Sequence, residues 1–173
     1  MKMWSKRLGT TSEPNGVYFS LIVATVGRTQ QLEYLLDSLA KQSYKEFECL
    51  IVDQNDDDRL DSILKKYQNS FKIVHLRSRL GLSAARNVGL NFCVGEVVAF
   101  PDDDCWYPDN LLKIISEIFF LHPDWDGVSG IAGMEGSTSS RWKWDKSPGK
   151  LDKRNVWRRA ISISIFIKKS VIT

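Results

Sequence analysis

Cysteines are few in this sequence, and their spacing suggests neither a disulfide framework nor a zinc site. The 173 residues include three, Cys49, Cys93 and Cys105, which lie far apart and form no C-x-x-C pair. An odd number at such spacing argues against both kinds of site. This usage fits a reducing compartment, so we expect the chain in the cytoplasm.

Long apolar runs are also missing. No stretch approaches the roughly 18 apolar residues that a transmembrane helix needs. The segment 1–7 is basic, but no apolar segment follows it, so we predict no export signal. Peripheral association with the inner face of the membrane remains an alternative to a purely cytoplasmic location.

The sequence has no strong excess of either charge. Its net charge is +3 and most basic residues are scattered, so we expect no nucleic-acid partner. One late cluster is either an anionic-surface patch or a solvated loop, because Asp145 and Asp152 lie within it. The cluster comprises Lys143, Lys146, Lys150, Lys153, Arg154, Arg158 and Arg159.

The phosphate-binding glycine patterns of P-loop and dinucleotide-binding proteins are absent. The segment that follows the first apolar run, 25–28, contains one glycine. This argues against a nucleotidyltransferase with a glycine-rich phosphate loop.

The composition is that of a soluble globular protein, with 43% hydrophobic and 26% charged residues. We expect residues 1–16 to be a flexible tail and residues 17–173 to form one domain, which buries about 70% of its unfolded surface. Apolar runs alternate with helical patterns along this domain. The pattern predicts an α/β fold with a mostly parallel central sheet. Predicted strands cover 18–24, 47–52, 71–76, 96–100, 127–131 and 161–165, and predicted helices cover 30–42, 60–67, 82–92 and 111–119, with a long irregular loop over 133–157.

Polar side chains follow four of the predicted strands. Ligands of parallel α/β sheets bind beyond the carboxyl ends of the strands, so these side chains mark a binding site. They are Thr25 and Arg28, Asp53 and Asn55, Arg77 and Arg79, and the triplet Asp102, Asp103 and Asp104.

The aspartate triplet is the most informative of these features. Three adjacent carboxylates repel one another unless a cation or hydrogen-bond donors balance their charge. A solvated turn is the alternative, because Pro108 and Asp109 begin a helix soon afterwards. Mg²⁺ and Mn²⁺ prefer oxygen ligands and combine carboxylates with phosphates and water, so the triplet predicts such an ion.

Four segments resemble the successive motifs of family 2 glycosyltransferases: 19–28, 50–53, 81–89 and 100–108. The similarity runs from about Phe19 to Ile172. It implies the GT-A fold, a Rossmann-like three-layer sandwich. It also implies inverting, metal-dependent transfer of a sugar from a nucleotide diphosphate sugar, commonly a UDP-sugar, to a glycan or lipid-linked acceptor during polysaccharide or cell-surface glycan synthesis.

The resemblance also implies roles for individual residues. Thr25 and Arg28 would contact the nucleotide, Asp53 would hold the uracil, and Arg86 would face the diphosphate. The triplet corresponds to the family's D-x-D motif, whose register here is open. Counting from Phe100 pairs Asp102 with Asp104, whereas counting back from Pro108 favours Asp103 for the metal. We assign Asp102 and Asp104 to the metal and Asp102 or Asp103 to the ribose.

The sequence departs from the family in two regions. Many members continue Asp, Asp, Gly, Ser after the second strand, whereas residues 53–56 are Asp, Gln, Asn, Asp, so the loop geometry is open. The family's general base lies in a segment beyond Thr173, and we expect the domain to be incomplete there. The acids late in the sequence, Glu135, Asp145 and Asp152, do not lie in a segment like the one that carries the family's general base. A non-catalytic sugar-nucleotide-binding or scaffold module is therefore the alternative function.

In the long loop, Trp142, Trp144 and Trp157 form either a lid over the site or a packed satellite cluster.

Overall fold

A computed structural model describes residues 16–133 and 148–172. Its strands are β1 (Phe19–Thr25), β2 (Phe47–Asp53), β3 (Lys72–Arg77), β4 (Val97–Ala99), β5 (Gly127–Ser129) and β6 (Ile165–Lys168). Its α-helices are α1 (Thr29–Ala40), α2 (Asp61–Tyr67), α3 (Leu82–Phe92), α4 (Leu111–Leu121) and α5 (Val156–Arg159). None of the helices in these ranges is long and apolar enough to cross a membrane.

The strands form one sheet in the order β3-β2-β1-β4-β6-β5. β1 is parallel to both β2 and β4, and β2 is parallel to β3. β6 is antiparallel to both of its neighbours, β4 and β5, so it alone runs against the other five described strands. The prediction of a mostly parallel sheet is confirmed.

Helices cover both faces of the sheet. Successive side chains of a strand point to opposite faces. Phe19, Leu21 and Val23 of β1 accordingly pack in one buried cluster with residues of α1, α2 and α4. Ile22 packs in a second cluster with Ala85 of α3. This arrangement confirms the predicted three layers and explains why β1 reads as a nearly continuous apolar run.

Gly89 allows α3 to lie unusually close to the sheet. A β-carbon at this position would stand 2.4 Å from Cγ2 of Ile22 and 3.3 Å from Cγ2 of Val52. Any larger residue would push the helix away from β1 and β2. The glycine therefore sets the height of α3 above the sheet, and with it the position of Arg86 one turn earlier.

The last part of the chain differs from the prediction. The predicted strand over 161–165 is wrong: Ser162–Ser164 forms a 3₁₀ turn and the strand is Ile165–Lys168. Ser164 explains the difference, because its N–H and its hydroxyl both donate to the carbonyl of Ile161, at 2.9 and 3.1 Å. Such local serine bonds compete with a β-ladder. The short helix α5 was also not predicted.

A buried polar cluster lies near the amino ends of the strands, and we call it the basal network. Glu48 of β2 is fully buried. Its Oε1 accepts hydrogen bonds from the hydroxyl of Ser20 (2.8 Å) and the N–H of Val94 (2.9 Å), and Lys72 Nζ lies 2.7 Å from Oε2. The N–H of Gly95 donates to the Ser20 hydroxyl (2.8 Å). Burial raises the pKa of Glu48, but the bonds from Lys72, Val94 and Ser20 outweigh it and leave the pKa below its usual value.

Candidate active site at the carboxyl ends of the strands

The carboxyl ends of β1, β2 and β4 meet at one edge of the sheet, which we call the rim. Thr25 ends β1 and pairs with Asp53 at the end of β2. β4 lies on the other side of β1, and Asp102 follows it after two residues. The parallel register therefore places the predicted site residues of these three strands side by side.

Asp103 is the buried member of the aspartate triplet, with 7% of its surface exposed. Its Oδ2 accepts a hydrogen bond from the hydroxyl of Thr25 (2.7 Å), and its Oδ1 accepts one from Arg28 (3.0 Å). Both oxygens are thus bonded to the segment that follows β1. Asp103 joins the two segments that line the rim.

Asp102 and Asp104 are partly exposed and are each paired with an arginine. Arg28 donates to Oδ2 of Asp104 (2.6 Å), and Arg86 donates to Oδ1 of Asp102 (3.0 Å). The Arg86 guanidinium also lies over the ring of Phe100, 5.5 Å from its centre. The triplet and the two arginines therefore form one connected ionic group.

The negative charge at Asp102 is incompletely balanced. Partial burial raises the pKa of this carboxyl, Arg86 opposes the shift, and the neighbouring Asp104 and Asp103 add to it, so the net direction is upward. Carboxylate oxygens at Asp102 and Asp104 are ligands of the type that Mg²⁺ and Mn²⁺ prefer. Among the described residues, no three acidic, histidine or cysteine side chains are grouped so that they could hold a metal ion by themselves. Phosphate oxygens and water would have to complete a metal's coordination shell here.

Asp53 belongs to a separate group one strand away. It is fully buried at the end of β2. Oδ1 accepts hydrogen bonds from the backbone N–H (2.8 Å) and the side-chain amide (2.7 Å) of Asn55. Oδ2 lies 3.0 Å from Nε2 of His75 and 3.2 Å from a guanidinium nitrogen of Arg77. Arg77 was predicted at the rim, whereas His75, two residues earlier on the same face of β3, was not.

Gln54 and Asn55 determine the loop geometry that the sequence left open. Asn55 Oδ1 accepts the N–H of Gly27 (2.7 Å), and Gln54 Oε1 accepts the N–H of Gly81 (2.7 Å). The backbone N–H of Gln54 also donates to the carbonyl of Thr25 (3.0 Å). The loop after β2 is therefore hydrogen-bonded to the loops after β1 and β3.

The structure brings most of the predicted site residues together. Thr25, Arg28 and Arg86 all contact the triplet, whereas Asp53 is linked to it through its strand partner Thr25 and through Asn55. In the late segment, Trp157 is 88% exposed and so belongs to no packed cluster, and Asp152 accepts the N–H groups of a local turn. Trp142, Trp144, Glu135, Asp145, Lys143 and Lys146 lie outside the described residues.

The sequence profile of the family described as Glycosyl transferase family 2 matches residues 20–170. The chain belongs to this family. Among relatives, it is 35% identical over 104 residues to glycosyltransferase GlyA of Streptococcus pneumoniae, an alignment that covers 57% of this chain and 15% of GlyA. It is 37% identical over 100 residues to the poly(ribitol-phosphate) β-N-acetylglucosaminyltransferase TarS of Staphylococcus aureus, covering 55% of this chain and 18% of TarS.

The solved structures confirm the fold. Residues 1–349 of S. aureus TarS in complex with UDP-GlcNAc superimpose with a TM-score of 0.75 at 26% identity, covering 90% of this chain and 46% of that one. This family 2 domain therefore has the predicted GT-A, Rossmann-like architecture. It spans less than half of the TarS fragment and less than a fifth of the two aligned relatives.

Proposed function

We propose that this family 2 domain binds a nucleotide diphosphate sugar, specifically a UDP-sugar, at the rim. It would serve the metal-dependent, inverting transfer of that sugar to a glycan or lipid-linked acceptor in cell-surface glycan synthesis. The observation that carries the proposal is the ionic group formed by the triplet with Arg28 and Arg86. The TarS fragment that resembles this chain holds UDP-GlcNAc, which supports a uridine donor.

The two arginines would exchange partners when the donor binds. Arg28 is half-exposed and bonds to two carboxylates, and Arg86 bonds to one. Guanidinium groups bind phosphate oxygens as readily as carboxylates, often through two parallel hydrogen bonds. Arg86 lies in the second turn of α3, whose N-terminal end also attracts anions. We propose that both side chains turn toward the diphosphate and leave Asp102 and Asp104 to a metal ion.

Asp102 and Asp104 fit a divalent metal better than Asp103 does. Oδ2 of Asp103 stays bonded to Thr25 and the residue is buried, so we assign it to positioning the rim and to the ribose side. The carboxylates of Asp102 and Asp104 are partly exposed. A bound Mg²⁺ or Mn²⁺ would supply charge stabilisation for the departing nucleotide diphosphate.

Binding and metal dependence can be tested by calorimetry on the full chain. We expect UDP to bind the wild type more tightly with Mn²⁺ than without it. The variant with both Asp102→Asn and Asp104→Asn should lose that difference, because amide oxygens are weaker ligands than carboxylates. Asp124→Asn, an exposed acid outside the rim, is the matched control.

Two other outcomes would change the proposal. Equal UDP affinity with and without Mn²⁺ would contradict the metal's role. A donor-consumption assay with UDP-GlcNAc then distinguishes an enzyme from the alternative, a sugar-nucleotide-binding or scaffold module. Tight UDP-GlcNAc binding without any release of UDP, either to an acceptor or to water, would favour the module.

A further inference from the structure

The Asp53 carboxylate accepts three hydrogen bonds, and Arg77 lies beside it as an ion pair. A carboxylate offers about four lone-pair positions, two on each oxygen. The two donors of Asn55 face Oδ1, and His75 and Arg77 face Oδ2. Because Asp53 is also fully buried, a ring N–H of a base can reach it only if one of these groups moves away.

We propose that His75 is a positioning residue for base recognition: it fixes the Asp53 carboxylate, while Arg77 yields its place on Oδ2 to a ring N–H of the donor's base. The inference rests on the proposed function, since it concerns how the same site accepts a uridine nucleotide.

Arg77 is the group that can move away. Its contact with Oδ2 is the longer one, at 3.2 Å, and 43% of its side chain is exposed. Its guanidinium donates to the carbonyls of Asn55 (3.1 Å) and Asp57 (2.7 Å) and to the carboxylate of Asp58 (2.8 Å). The nitrogen nearest Oδ2 is the one that donates to the two carbonyls, so Arg77 gives Asp53 no hydrogen bond. Only this ion-pair contact has to lengthen when a ring N–H takes the same position on Oδ2.

His75 makes the hydrogen bond to Asp53 that Arg77 does not make. It lies within β3, paired with Ile51 of β2, and its side chain is 27% exposed. Nε2 stands 3.0 Å from Oδ2 of Asp53, and Nδ1 stands 3.8 Å from the carboxylate of Asp61 at the start of α2. The hydrogen bond between Nε2 and Asp53 orients the ring. Nε2 therefore keeps its hydrogen bond while the other lone pair of Oδ2 becomes available.

The test compares two ligands that differ in the base, measured by calorimetry on the full chain with Mn²⁺ present. UDP carries the base, whereas inorganic pyrophosphate lacks it. We expect His75→Leu to weaken UDP binding about 10-fold to 100-fold, the range for a lost hydrogen bond to a charged group, and to leave pyrophosphate binding unchanged. His75→Gln places an amide N–H near the position of Nε2 and should restore most of the UDP affinity.

Two more variants sharpen the result. Arg77→Gln should change UDP affinity by less than about threefold, because Arg77 gives Asp53 no hydrogen bond that the variant could lose. His122→Gln, at the end of α4 and stacked on Trp125, is the control for loss of a histidine and should bind both ligands as the wild type does. A thermal melt of each variant shows that it is folded.

Several results would overturn the inference alone. These are unchanged UDP binding by His75→Leu, equal loss of UDP and pyrophosphate binding, or failure of His75→Gln to recover affinity. A larger loss in Arg77→Gln than in His75→Leu would reverse the two assigned roles. If the wild type bound neither ligand, the proposed function would fail, and the role of His75 would fail with it.

Discussion

Carboxylates lie at both ends of the sheet, and their surroundings differ between the two ends. In the basal network, Glu48 is sealed from solvent and surrounded by donors that hold its pKa below the usual value. At the rim, Asp102 is partly exposed and its pKa is raised by burial and by the adjacent aspartates, against the opposing effect of Arg86. The negative charge of Glu48 is balanced by groups within the fold, whereas the negative charge of Asp102 is balanced only in part.

This difference separates acids that hold the structure together from acids that are available to a ligand. A buried carboxylate whose charge is balanced by a paired lysine has little left to offer a metal or a phosphate-bound cation, and removing it harms the fold. A crowded and partly exposed carboxylate is costly to the fold, but it gains most from an added cation. Burial and the balance of charge around the acid thus separate the role of Glu48 from that of Asp102.

Gly95→Ala should produce the largest effect, and it acts on the basal network. An added β-carbon would lie 2.5 Å from the backbone nitrogen of Ser20 and 2.7 Å from the carbonyl carbon of Phe19. Backbone atoms cannot yield as a side chain can, so we expect a loss of about 3 kcal/mol in the free energy of unfolding. Urea denaturation measures it. Gly130→Ala, where a β-carbon meets no atom within 4 Å, is the control, and equal stabilities would contradict the packing argument.

Glu48→Gln should have the next largest effect, a loss of about 2 kcal/mol at neutral pH, because Lys72 loses its charged partner and one donor must turn away. The pKa of Glu48 is lower in the folded than in the unfolded chain. Its stabilisation is therefore fully present above the ordinary glutamate pKa and is lost as the pH falls through the folded-state value. Urea titrations of both proteins between neutral and acid pH should converge. A constant gap, or a similar loss in the exposed Glu117→Gln, would argue against this role.

Asp102→Asn should have the smallest effect on stability and the opposite sign. The folded-state pKa of Asp102 is raised, so ionisation costs stability once the pH exceeds the ordinary aspartate pKa. At neutral pH we expect the variant to be as stable as the wild type or slightly more stable, within about 0.5 kcal/mol. The difference should vanish in acid, where both forms are neutral. A clear destabilisation in thermal melts at pH 7 would show that the pair with Arg86 stabilises the fold and would remove the contrast with Glu48.

The parts of the fold that depend on local patterns were predictable from the sequence. The apolar run of β1, the helical spacing in α1 and the polar residues at the strand ends fixed the order of the elements and the location of the rim. The 3₁₀ turn at Ser162–Ser164 was mistaken for a strand because alternation describes a face and cannot weigh serine bonds to the local backbone.

The hydrogen bonds that determine the geometry of the site join residues that are distant in sequence. Asp103 bonds to Thr25 across 78 positions, and Glu48 bonds to Val94 across 46. Nothing near His75 in the sequence shows that it faces Asp53; the register of β2 and β3 brings them together. The sequence therefore identified the residue types at the rim, while their partners required the three-dimensional arrangement.

The hydrogen bonds of Gln54 and Asn55 have a consequence for redesign of donor preference. Because these side chains bond to Gly27 and Gly81, the three loops that flank the second strand form one unit. A loop transplanted alone from a relative with Asp-Gly-Ser in this place would leave two backbone N–H groups without their acceptors. Nucleotide specificity in this domain would have to be exchanged as a set of three loops, in the way that antibody loops are grafted together onto a shared framework.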